Sequence, residues 1–291
     1  MSGVRRRDVL AGLGGAAVAP RGAWARPSDM GAALRAVGEA RYIAIGERHD
    51  NPAHHAVQAD LVAALQPAGI AFEMIPRERE WIVNDLRFQG ASRADLAEAL
   101  DWGDSGWPDF ALYAAILEAA PDAYIAGGGL SRETMAAVYE QGAAGLGPEM
   151  AARYLLDEPL LPEVEAAMLD EQFDAHCGLL DRDRLGSMVA VQRAWDAAYA
   201  DAWRRASLRG GGGRAVLICG NVHARLETGA PAYLAHAIRH ADREATVAAI
   251  GQTEEGEDAV PATFYTATIR SPRPQRADAC EQMRARMHGA E

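Results

Sequence analysis

Two tetrapeptides of the pattern Gly-x-x-His follow apolar segments of this 291-residue chain and are its clearest candidates for chemistry. The first is GERH at residues 46–49, and the second is GNVH at residues 220–223. A glutamate also stands at the end of a third apolar segment, GIAFE at residues 69–73. Carboxylates and imidazoles transfer protons near neutral pH and bind divalent metals. The sequence therefore predicts one site formed by Glu47, His49, Glu73 and His223.

Two mechanisms fit this set of four side chains, and the sequence leaves both open. The four could bind a divalent metal that activates water, or histidine could act as a general base without a metal while the glutamates orient it. The chain has no Gly-x-Ser-x-Gly elbow, no GxGxxG motif and no P-loop. Its 29 basic residues are all arginine, so no lysine is available for a Schiff base.

The elements that must position these turns alternate between short apolar segments and helical patterns. This alternation predicts an α/β fold with a central, mostly parallel sheet flanked by helices. Ligands of open parallel sheets bind beyond the carboxyl ends of the strands, so the two turns should converge on one cleft with Glu73 between them. The last strand is predicted to be an edge strand or antiparallel. The predicted strands are residues 42–45, 69–73, 123–126, 215–219, 246–250 and 263–269.

The helix after the first turn is predicted to begin at Pro52, because proline suits the first helical position and Asn51 or Asp50 can cap it. Steps of about 100° per residue place His54 beside the apolar positions and His55 on roughly the opposite face. His54 is therefore expected to point inward, where a backbone carbonyl could satisfy it or where it could join the site.

An aromatic loop at residues 101–108 precedes the helix that contains Tyr113. Its tryptophans, Trp102 and Trp107, could line a flat apolar ligand site or cover the core. Three consecutive glycines after the third strand would let a ligand approach the backbone closely. Arg132 follows them at the start of a helix, where it could hold an anion.

Residues 131–208 have an almost continuous helical pattern and are predicted to form a helical insertion beside the sheet. His176 shares a face with apolar residues and is expected to point inward. On the long helix that follows, Gln192 and Asp196 lie along an apolar stripe, so they should be hydrogen-bonded structural groups or site residues. Residues 271–291 are predicted to be a tail with little capacity for order.

Composition excludes some classes of partner. The net charge of −12 argues against nucleic acid. No apolar run is long enough to span a membrane. The three cysteines, Cys177, Cys219 and Cys280, fit no metal-ligand spacing and cannot all pair with one another.

The first 25 residues differ from the rest of the chain. Arginines at residues 5–7 precede a weakly apolar segment, and Ala23-Trp24-Ala25 is a small-x-small sequence typical of cleavage. This segment resembles a twin-arginine export signal, which predicts cleavage near Ala25 and a periplasmic or secreted protein. A cytoplasmic protein with a basic start is the alternative. Residues 26–270 are assigned to a single α/β domain, which the predicted tail follows.

A series of motifs resembles the ChaN-like haem-binding family, within the Tiki superfamily of Gly-x-x-His proteins. The motifs include GERHDNPAHHAVQ, FEM, SGWPDFALY, FDAHCGLL, MVAVQRAWDAAYA and GNVHAR, in an order that covers roughly residues 40–235. The resemblance implies an exported haem-binding protein linked to iron acquisition, with a helical cap on an α/β sheet. The wider superfamily includes proposed metal-dependent peptidases and an esterase group, so a hydrolase that uses the Glu/His cluster is the alternative function.

The chain departs from this family at several positions. Gly129 stands where asparagine is frequent, which implies an altered pocket. Trp195 and Tyr199 stand where the family often has a basic residue and a methionine. No cysteine lies at the predicted cleavage point, although many family members carry a lipid-anchoring cysteine, so tethering is not expected.

Haem would need aromatic walls, an axial histidine or tyrosine, and arginine near its propionates. The sequence does not choose the axial ligand among Tyr113, His54, His55 and His176. The expected partners are haem or another small ligand, a second copy of the chain, and an outer-membrane haem or iron transport system. The residues predicted to contact the cofactor are His54, His55, Trp107, Tyr113, Arg132, His176, Gln192 and Asp196.

Overall fold

The computed structural model describes residues 27–239 and 244–288. The predicted export signal and its cleavage point therefore lie outside the described residues. Within those two ranges, no helix combines the length and the apolar character that a membrane span requires.

Six strands form one sheet, and every pair of neighbouring strands is parallel. They are β1 (Tyr42–Glu47), β2 (Gly69–Pro76), β3 (Tyr124–Gly129), β4 (Ala215–Gly220), β5 (Val247–Glu254) and β6 (Ala267–Ser271). Their order is β3-β2-β4-β1-β5-β6, which confirms the predicted α/β class. The last strand lies at an edge, as expected, and it is parallel to β5, so the antiparallel alternative is wrong.

Helices cover the sheet in the parts of the chain that the structure describes. They are α1 (Pro27–Val37), α2 (Pro52–Leu65), α3 (Glu80–Phe88), α4 (Arg93–Ala99), α5 (Phe110–Ala119), α6 (Arg132–Gln141), α7 (Pro148–Tyr154), α8 (Pro162–Ala175), α9 (Arg182–Arg209), α10 (Ala230–Ile238) and α11 (Ala279–His288). The predicted start of α2 is confirmed, because Pro52 is its first residue and the Asn51 side chain accepts a hydrogen bond from Ala53 N.

Different helices cover the two faces of the sheet. Ile43 and Ile45 of β1 belong to the cluster that contains residues of α1, α2 and α5. Tyr42 and Ala44 belong to the cluster that contains residues of α7, α9 and α10. Because both faces are covered, the strands are apolar almost throughout, as buried parallel strands are.

The predicted helical insertion at residues 131–208 corresponds to α6 to α9. Its last helix, α9, packs directly on β2, β3 and β4 and is therefore part of the sheet's own covering layer. The indole of Trp203 on α9 lies edge-on to Tyr42, with ring centroids 5.6 Å apart, and donates a hydrogen bond to Ala215 O at 3.0 Å. This position brings the polar residues of α9 close to the ends of the strands.

The C-terminal segment has more order than its sequence predicts. Residues 279–288 form α11, and Cys280 makes a disulfide bond with Cys177 after α8. Arg276 pairs with the buried carboxylate of Glu254 and lies 2.8 Å from Asp50 Oδ2. These contacts join residues far apart in the chain, so the local sequence pattern did not reveal them.

Candidate functional site

The two Gly-x-x-His turns lie side by side at the carboxyl edge of the sheet. A Cβ atom at Gly46 would lie 2.3 Å from Asn221 Oδ1 and 3.0 Å from Asn221 Cα. A Cβ atom at Gly220 would lie 3.1 Å from Nε2 of His49. Each tetrapeptide therefore begins with glycine because the other tetrapeptide packs directly against that position.

The first turn builds a buried carboxylate–imidazole pair. Glu47 Oε1 lies 2.7 Å from His49 Nδ1 and accepts a hydrogen bond from the Tyr113 hydroxyl at 2.9 Å. Burial alone would raise the pKa of Glu47, but His55 and the hydrogen bonds from His49 and Tyr113 outweigh burial and hold the pKa below its ordinary value. The ionised carboxylate therefore orients the His49 ring.

The protonation of His49 follows from the same surroundings. Burial alone would lower the pKa of His49, but the hydrogen bond to Glu47 and the charges of Glu73 and Glu47 raise it above its ordinary value. The His49 side chain is 36% exposed, against 12% for His223. Of the two imidazoles, His49 and His223, a ligand can therefore reach that of His49 more easily.

The second turn uses a carboxylate from a distant helix. His223 Nδ1 lies 2.8 Å from Oδ1 of Asp196, which is fully buried on α9. Burial raises the pKa of Asp196 to about 6 against the influence of His223. Burial would lower the pKa of His223, but the charges of Asp196 and Glu73 raise it to about 9. At neutral pH the two side chains therefore form a buried ion pair.

Glu73 lies between the two imidazoles. Its Oε1 atom is 3.9 Å from His49 Nε2 and 3.9 Å from His223 Nε2, while its Oε2 atom accepts a hydrogen bond from Gly220 N at 2.7 Å. The expectation that Glu73 ends its strand is wrong, because β2 continues to Pro76 with an irregular register after Phe72. Although β4 separates β2 from β1, the Glu73 side chain still reaches the point where both turns meet.

Both adjacent histidines of α2 are buried, so the placement of His55 on an outward face is wrong. His54 Nδ1 accepts a hydrogen bond from Arg48 N at 2.9 Å, and burial lowers the pKa of His54 to about 4. His55 Nε2 lies 2.8 Å from the carbonyl oxygen of His49, and its Nδ1 lies 3.4 Å from Glu47 Oε2. α2 packs against α5, and the Tyr113 ring of α5 lies 4.7 Å from the His55 ring between centroids, which helps to bury His55.

The two tryptophans of the aromatic loop have different positions. Trp102 is buried against Phe110 and Tyr113, and its indole donates to Pro108 O, so it covers the core. Trp107 is half-buried, and its ring centroid lies 4.9 Å from that of His49. Of the two, Trp107 is therefore the one that borders the site.

Three of the predicted cofactor contacts, Arg132, His176 and Gln192, make no hydrogen bond to the paired turns among the described residues. Arg132 is exposed at the start of α6. His176 Nδ1 lies 2.8 Å from the carbonyl oxygen of Gln172, and the Gln172 side chain donates to that of Gln192. Their proposed contacts with haem stay predictions, and the geometry does not bring them to the Glu73 carboxylate.

A cavity of about 560 Å³ opens beside the two turns, within the usual range of ligand pockets. Sequence reasoning missed two of its cationic residues, Arg48 and Arg225, although one lies within the first turn and the other follows the second. It also missed the apolar wall formed by Val260, Phe264 and Tyr265. We refer to this cavity as the cleft; its lining includes Glu47, Arg48, His49, Asp50, Asn221, Val222, His223, Arg225, Gln252, Glu257, Val260, Phe264 and Tyr265.

The chemistry of the paired turns is that of proton transfer and ligand coordination by imidazole. Each histidine has one ring nitrogen beside a carboxylate and the other directed toward Glu73, an arrangement that fixes the ring and raises its basicity. Among the described residues, no three His, Cys, Asp or Glu side chains are grouped to hold a metal ion. The divalent-metal interpretation of Glu47, His49, Glu73 and His223 therefore gains no support.

The family described as "Haem-binding uptake, Tiki superfamily, ChaN" matches residues 33–234, which is more than half of the 291-residue chain. The chain belongs to this family. Its fold is similar to that of ChaN of Campylobacter jejuni, from a structure described as showing cofacial haem binding, with 17% identity and a TM-score of 0.60 over 81% of this chain and 89% of that one.

Two further solved structures are more distant. The type III effector HopBA1 matches with 14% identity and a TM-score of 0.43 over 83% of this chain and 89% of its own. An erythromycin esterase mutant in its open conformation matches with 13% identity and a TM-score of 0.40 over 91% of this chain and 84% of its own. No curated protein sequence gives a significant match.

Proposed function

We propose that this protein binds haem in the cleft and takes part in haem or iron handling outside the cytoplasm. The observation that carries the proposal is membership of a haem-binding uptake family together with an accessible imidazole, His49, at the wall of a ligand-sized cleft. ChaN of Campylobacter jejuni, which has a similar fold, binds haem cofacially according to its description.

The cleft residues fit a porphyrin. Val260, Phe264 and Tyr265 give an apolar wall for the ring, and Arg48 and Arg225 give positive charge for carboxylates. When bound, haem would supply an iron that accepts an axial nitrogen. His49 is the best-placed ligand, because Glu47 binds its Nδ1 and leaves Nε2 directed toward Glu73 and the cleft.

Tyr113 is a weaker candidate for the axial position. Its hydroxyl is buried and donates to Glu47 Oε1 at 2.9 Å. Burial, together with the negative charge of Glu47, raises the pKa of Tyr113 far above its ordinary value, so the phenol stays protonated. Use of this oxygen as a ligand would require it to leave Glu47 and lose its proton.

Haem titration of the chain from residue 26 onward tests the proposal. We expect a saturable shift of the Soret band, and a loss of affinity of about tenfold or more in His49→Ala, since an imidazole ligand is worth at least one strong polar contact. Affinity should also rise with pH, because the raised pKa of His49 means that Nε2 must lose a proton before it can coordinate. His236→Ala, which removes a histidine that lines a different pocket and not the cleft, is the matched control and should bind normally.

The absence of a saturable Soret shift in the wild type would overturn haem binding. Normal haem binding and an unchanged spectrum in His49→Ala would instead overturn only the assignment of the axial ligand. In that case His54→Ala, His55→Ala and Tyr113→Phe are the next variants to compare.

The location of the protein is a separate part of the proposal. We infer export through the twin-arginine signal, because Arg5-Arg6-Arg7 precedes a weakly apolar segment and Ala23-Trp24-Ala25. Replacement of all three arginines by lysine should leave the full-length chain in the cytoplasm, whereas the unchanged chain should be recovered outside it with residue 26 at its N-terminus. Recovery of the unchanged, uncleaved chain in the cytoplasm would contradict export.

Two partners remain part of this proposal. An outer-membrane haem or iron transport system would supply the ligand, and a second copy of the chain would form a homodimer. Sedimentation with and without haem tests the second partner. Growth on haem as the sole iron source, in strains with and without the protein, tests the first.

A specific observation also favours hydrolysis as a second function. Two carboxylate-bound imidazoles each place Nε2 at 3.9 Å from Glu73 Oε1, which is a geometry suited to general acid–base catalysis. The ester and peptide hydrolysis of the wild type should then be lost in both His49→Ala and His223→Ala. A wild type that is inactive on broad ester and peptide panels would contradict this function and leave haem binding unaffected.

A further inference from the structure

Two arginines line the cleft, one within the first Gly-x-x-His turn and one shortly after the second. Arg48 immediately precedes His49, and Arg225 follows His223 by two positions. Each arginine is therefore within two residues of one of the imidazoles of the site. Any ligand that reaches the imidazoles lies within the same cavity as both cations.

Each of these arginines is paired with a glutamate: Arg48 with Glu257, which also lines the cleft, and Arg225 with Glu171 of α8. Arg48 donates to Glu257 Oε1, and Glu257 Oε2 in turn accepts a hydrogen bond from Glu254 N at 2.9 Å. Arg225 NH1 lies 2.9 Å from Glu171 Oε2, and NH2 lies 2.9 Å from Glu171 Oε1. The second pair is bidentate, which is the geometry in which guanidinium binds any carboxylate.

These pairs can be exchanged for other carboxylates. The side chains of Arg48 and Glu257 are 47% and 24% exposed, and those of Arg225 and Glu171 are both 21% exposed. Exposed ion pairs contribute little to stability, because solvation offsets most of the attraction; this holds more fully for the Arg48 pair than for the part-buried Arg225 pair. A ligand carboxylate could therefore replace the glutamate without a large loss of folding energy.

The apolar surroundings specify the rest of the ligand. The Arg225 guanidinium lies over the Phe264 ring, 4.2 Å from its centroid, and its Nε atom is buried without a hydrogen-bond partner among the described residues. Val260 and Tyr265 extend the same wall. A cation presented on an aromatic ring suits a carboxylate that is attached to a flat apolar body.

We propose that Glu257 and Glu171 occupy the positions of two ligand carboxylates, and that the cleft selects flat apolar molecules carrying two carboxylates. Binding exchanges each glutamate for one carboxylate of the ligand, so the glutamates compete with the ligand in the free protein. This inference rests on the proposed function, since haem is a molecule of that class.

The experiment compares four porphyrins: haem, metal-free protoporphyrin IX, and the dimethyl ester of each. Charged hydrogen bonds to carboxylates are strong, so esterification should weaken binding by about tenfold or more for both parent compounds. Arg48→Gln and Arg225→Gln should each weaken binding of the two free acids by about tenfold and leave the two esters unchanged. Arg182→Gln, which removes an exposed pair with Asp170, is the matched control.

Variants of the two glutamates should change the affinity for the free acids in the opposite direction to the arginine variants. Glu257→Gln and Glu171→Gln remove the internal competitor, so each should tighten binding of the free acids and leave the esters unchanged. Esters that bind as tightly as the acids, or glutamate variants that bind the acids more weakly, would overturn this inference while leaving haem binding intact. Failure of all four porphyrins to bind would overturn both this inference and the proposed function.

Discussion

The two Gly-x-x-His turns make the same carboxylate–imidazole pair by different routes. In the first turn the carboxylate, Glu47, belongs to the tetrapeptide itself and lies two residues from His49. In the second turn Asn221 stands at the equivalent position, and Asp196 supplies the carboxylate from α9. The position of the imidazole beside a carboxylate is therefore common to both turns, whereas the source of that carboxylate differs.

Asn221, which stands in the second turn where the first turn has Glu47, has a structural role of its own. Asn221 Nδ2 donates to Gln252 O at 2.6 Å, and Asn221 Oδ1 accepts from Gln252 N at 3.0 Å. The amide thus makes two hydrogen bonds to β5; a carboxylate could accept the one from Gln252 N but has no N–H to donate to Gln252 O. His49, which pairs with Glu47 of its own turn, is the more exposed imidazole, and His223, which pairs with Asp196 of α9, is the more buried one. The two imidazoles are therefore suited to different tasks.

Among the variants that test this difference between the turns, Asp196→Ala should have the largest effect on the free energy of unfolding. Removal of one partner of a buried ion pair leaves the other charge unpaired, so the free energy of unfolding at pH 7 should fall by about 3–5 kcal/mol. Urea unfolding measures this loss. Asp170→Ala, on the exposed face of α8, is the control and should lose less than about 1 kcal/mol.

The pH dependence of that loss follows from His223. The pKa of His223 is raised from 6.5 to about 9 in the folded protein, so its contribution to stability is complete below pH 6.5 and is lost as the pH rises through about 9. In Asp196→Ala the imidazole is no longer held in its charged form. The difference between wild type and variant should therefore shrink as the pH rises to 9 and above. A difference that stays constant from pH 6.5 to 10 would contradict the ion pair.

Alanine variants of Gly46 and Gly220 should have the next largest effect on stability, and the effect should differ between the two turns. Gly46→Ala places a methyl group within 3.0 Å of the Asn221 backbone, so it should destabilise the protein by about 1–3 kcal/mol. Gly220→Ala places a methyl group 3.1 Å from the His49 ring, which can shift, and at ordinary contact distance, 3.7 Å, from Glu73 Oε2. It should therefore destabilise the protein less, while it weakens ligand binding.

Urea unfolding and haem titration of both alanine variants measure this difference. Gly186→Ala is the control, because no atom within 4 Å opposes a methyl group there and alanine favours a helix by about 0.5–1 kcal/mol. Equal destabilisation by Gly46→Ala and Gly220→Ala would show that the turns do not pack against each other in this way.

The smallest effect concerns the support of Glu47. Tyr113→Phe removes one hydrogen bond to Glu47 Oε1 and should lower the free energy of unfolding by about 1 kcal/mol. The pKa of Glu47 should rise, because this hydrogen bond is among the causes that hold it down. Carboxyl NMR titration measures that pKa, and the exposed Tyr139→Phe should change neither quantity. An unchanged pKa in Tyr113→Phe would remove the tyrosine from the first pair.

Part of this site could be predicted from the sequence because its signals are local. Apolar segments that end in Gly-x-x-His indicate strand ends, and parallel strands bring their carboxyl ends to one edge of a sheet. The convergence of His49 and His223 follows from that rule, whereas Glu73 reaches them from within β2. The Asn51 cap and the start of α2 at Pro52 are likewise properties of a few consecutive residues.

The tertiary structure alone decided which distant groups meet. Helical periodicity placed Asp196 along the apolar stripe of α9, but only the packing of α9 on the sheet places it beside His223. In the same way, the covering of α2 by its neighbours buries His55, and the approach of α8 to the second turn pairs Arg225 with Glu171. A sequence pattern determines the face that a residue occupies, whereas the neighbour of that face depends on how the elements pack. The two turns were therefore visible in the sequence, but the partners that distinguish them were not.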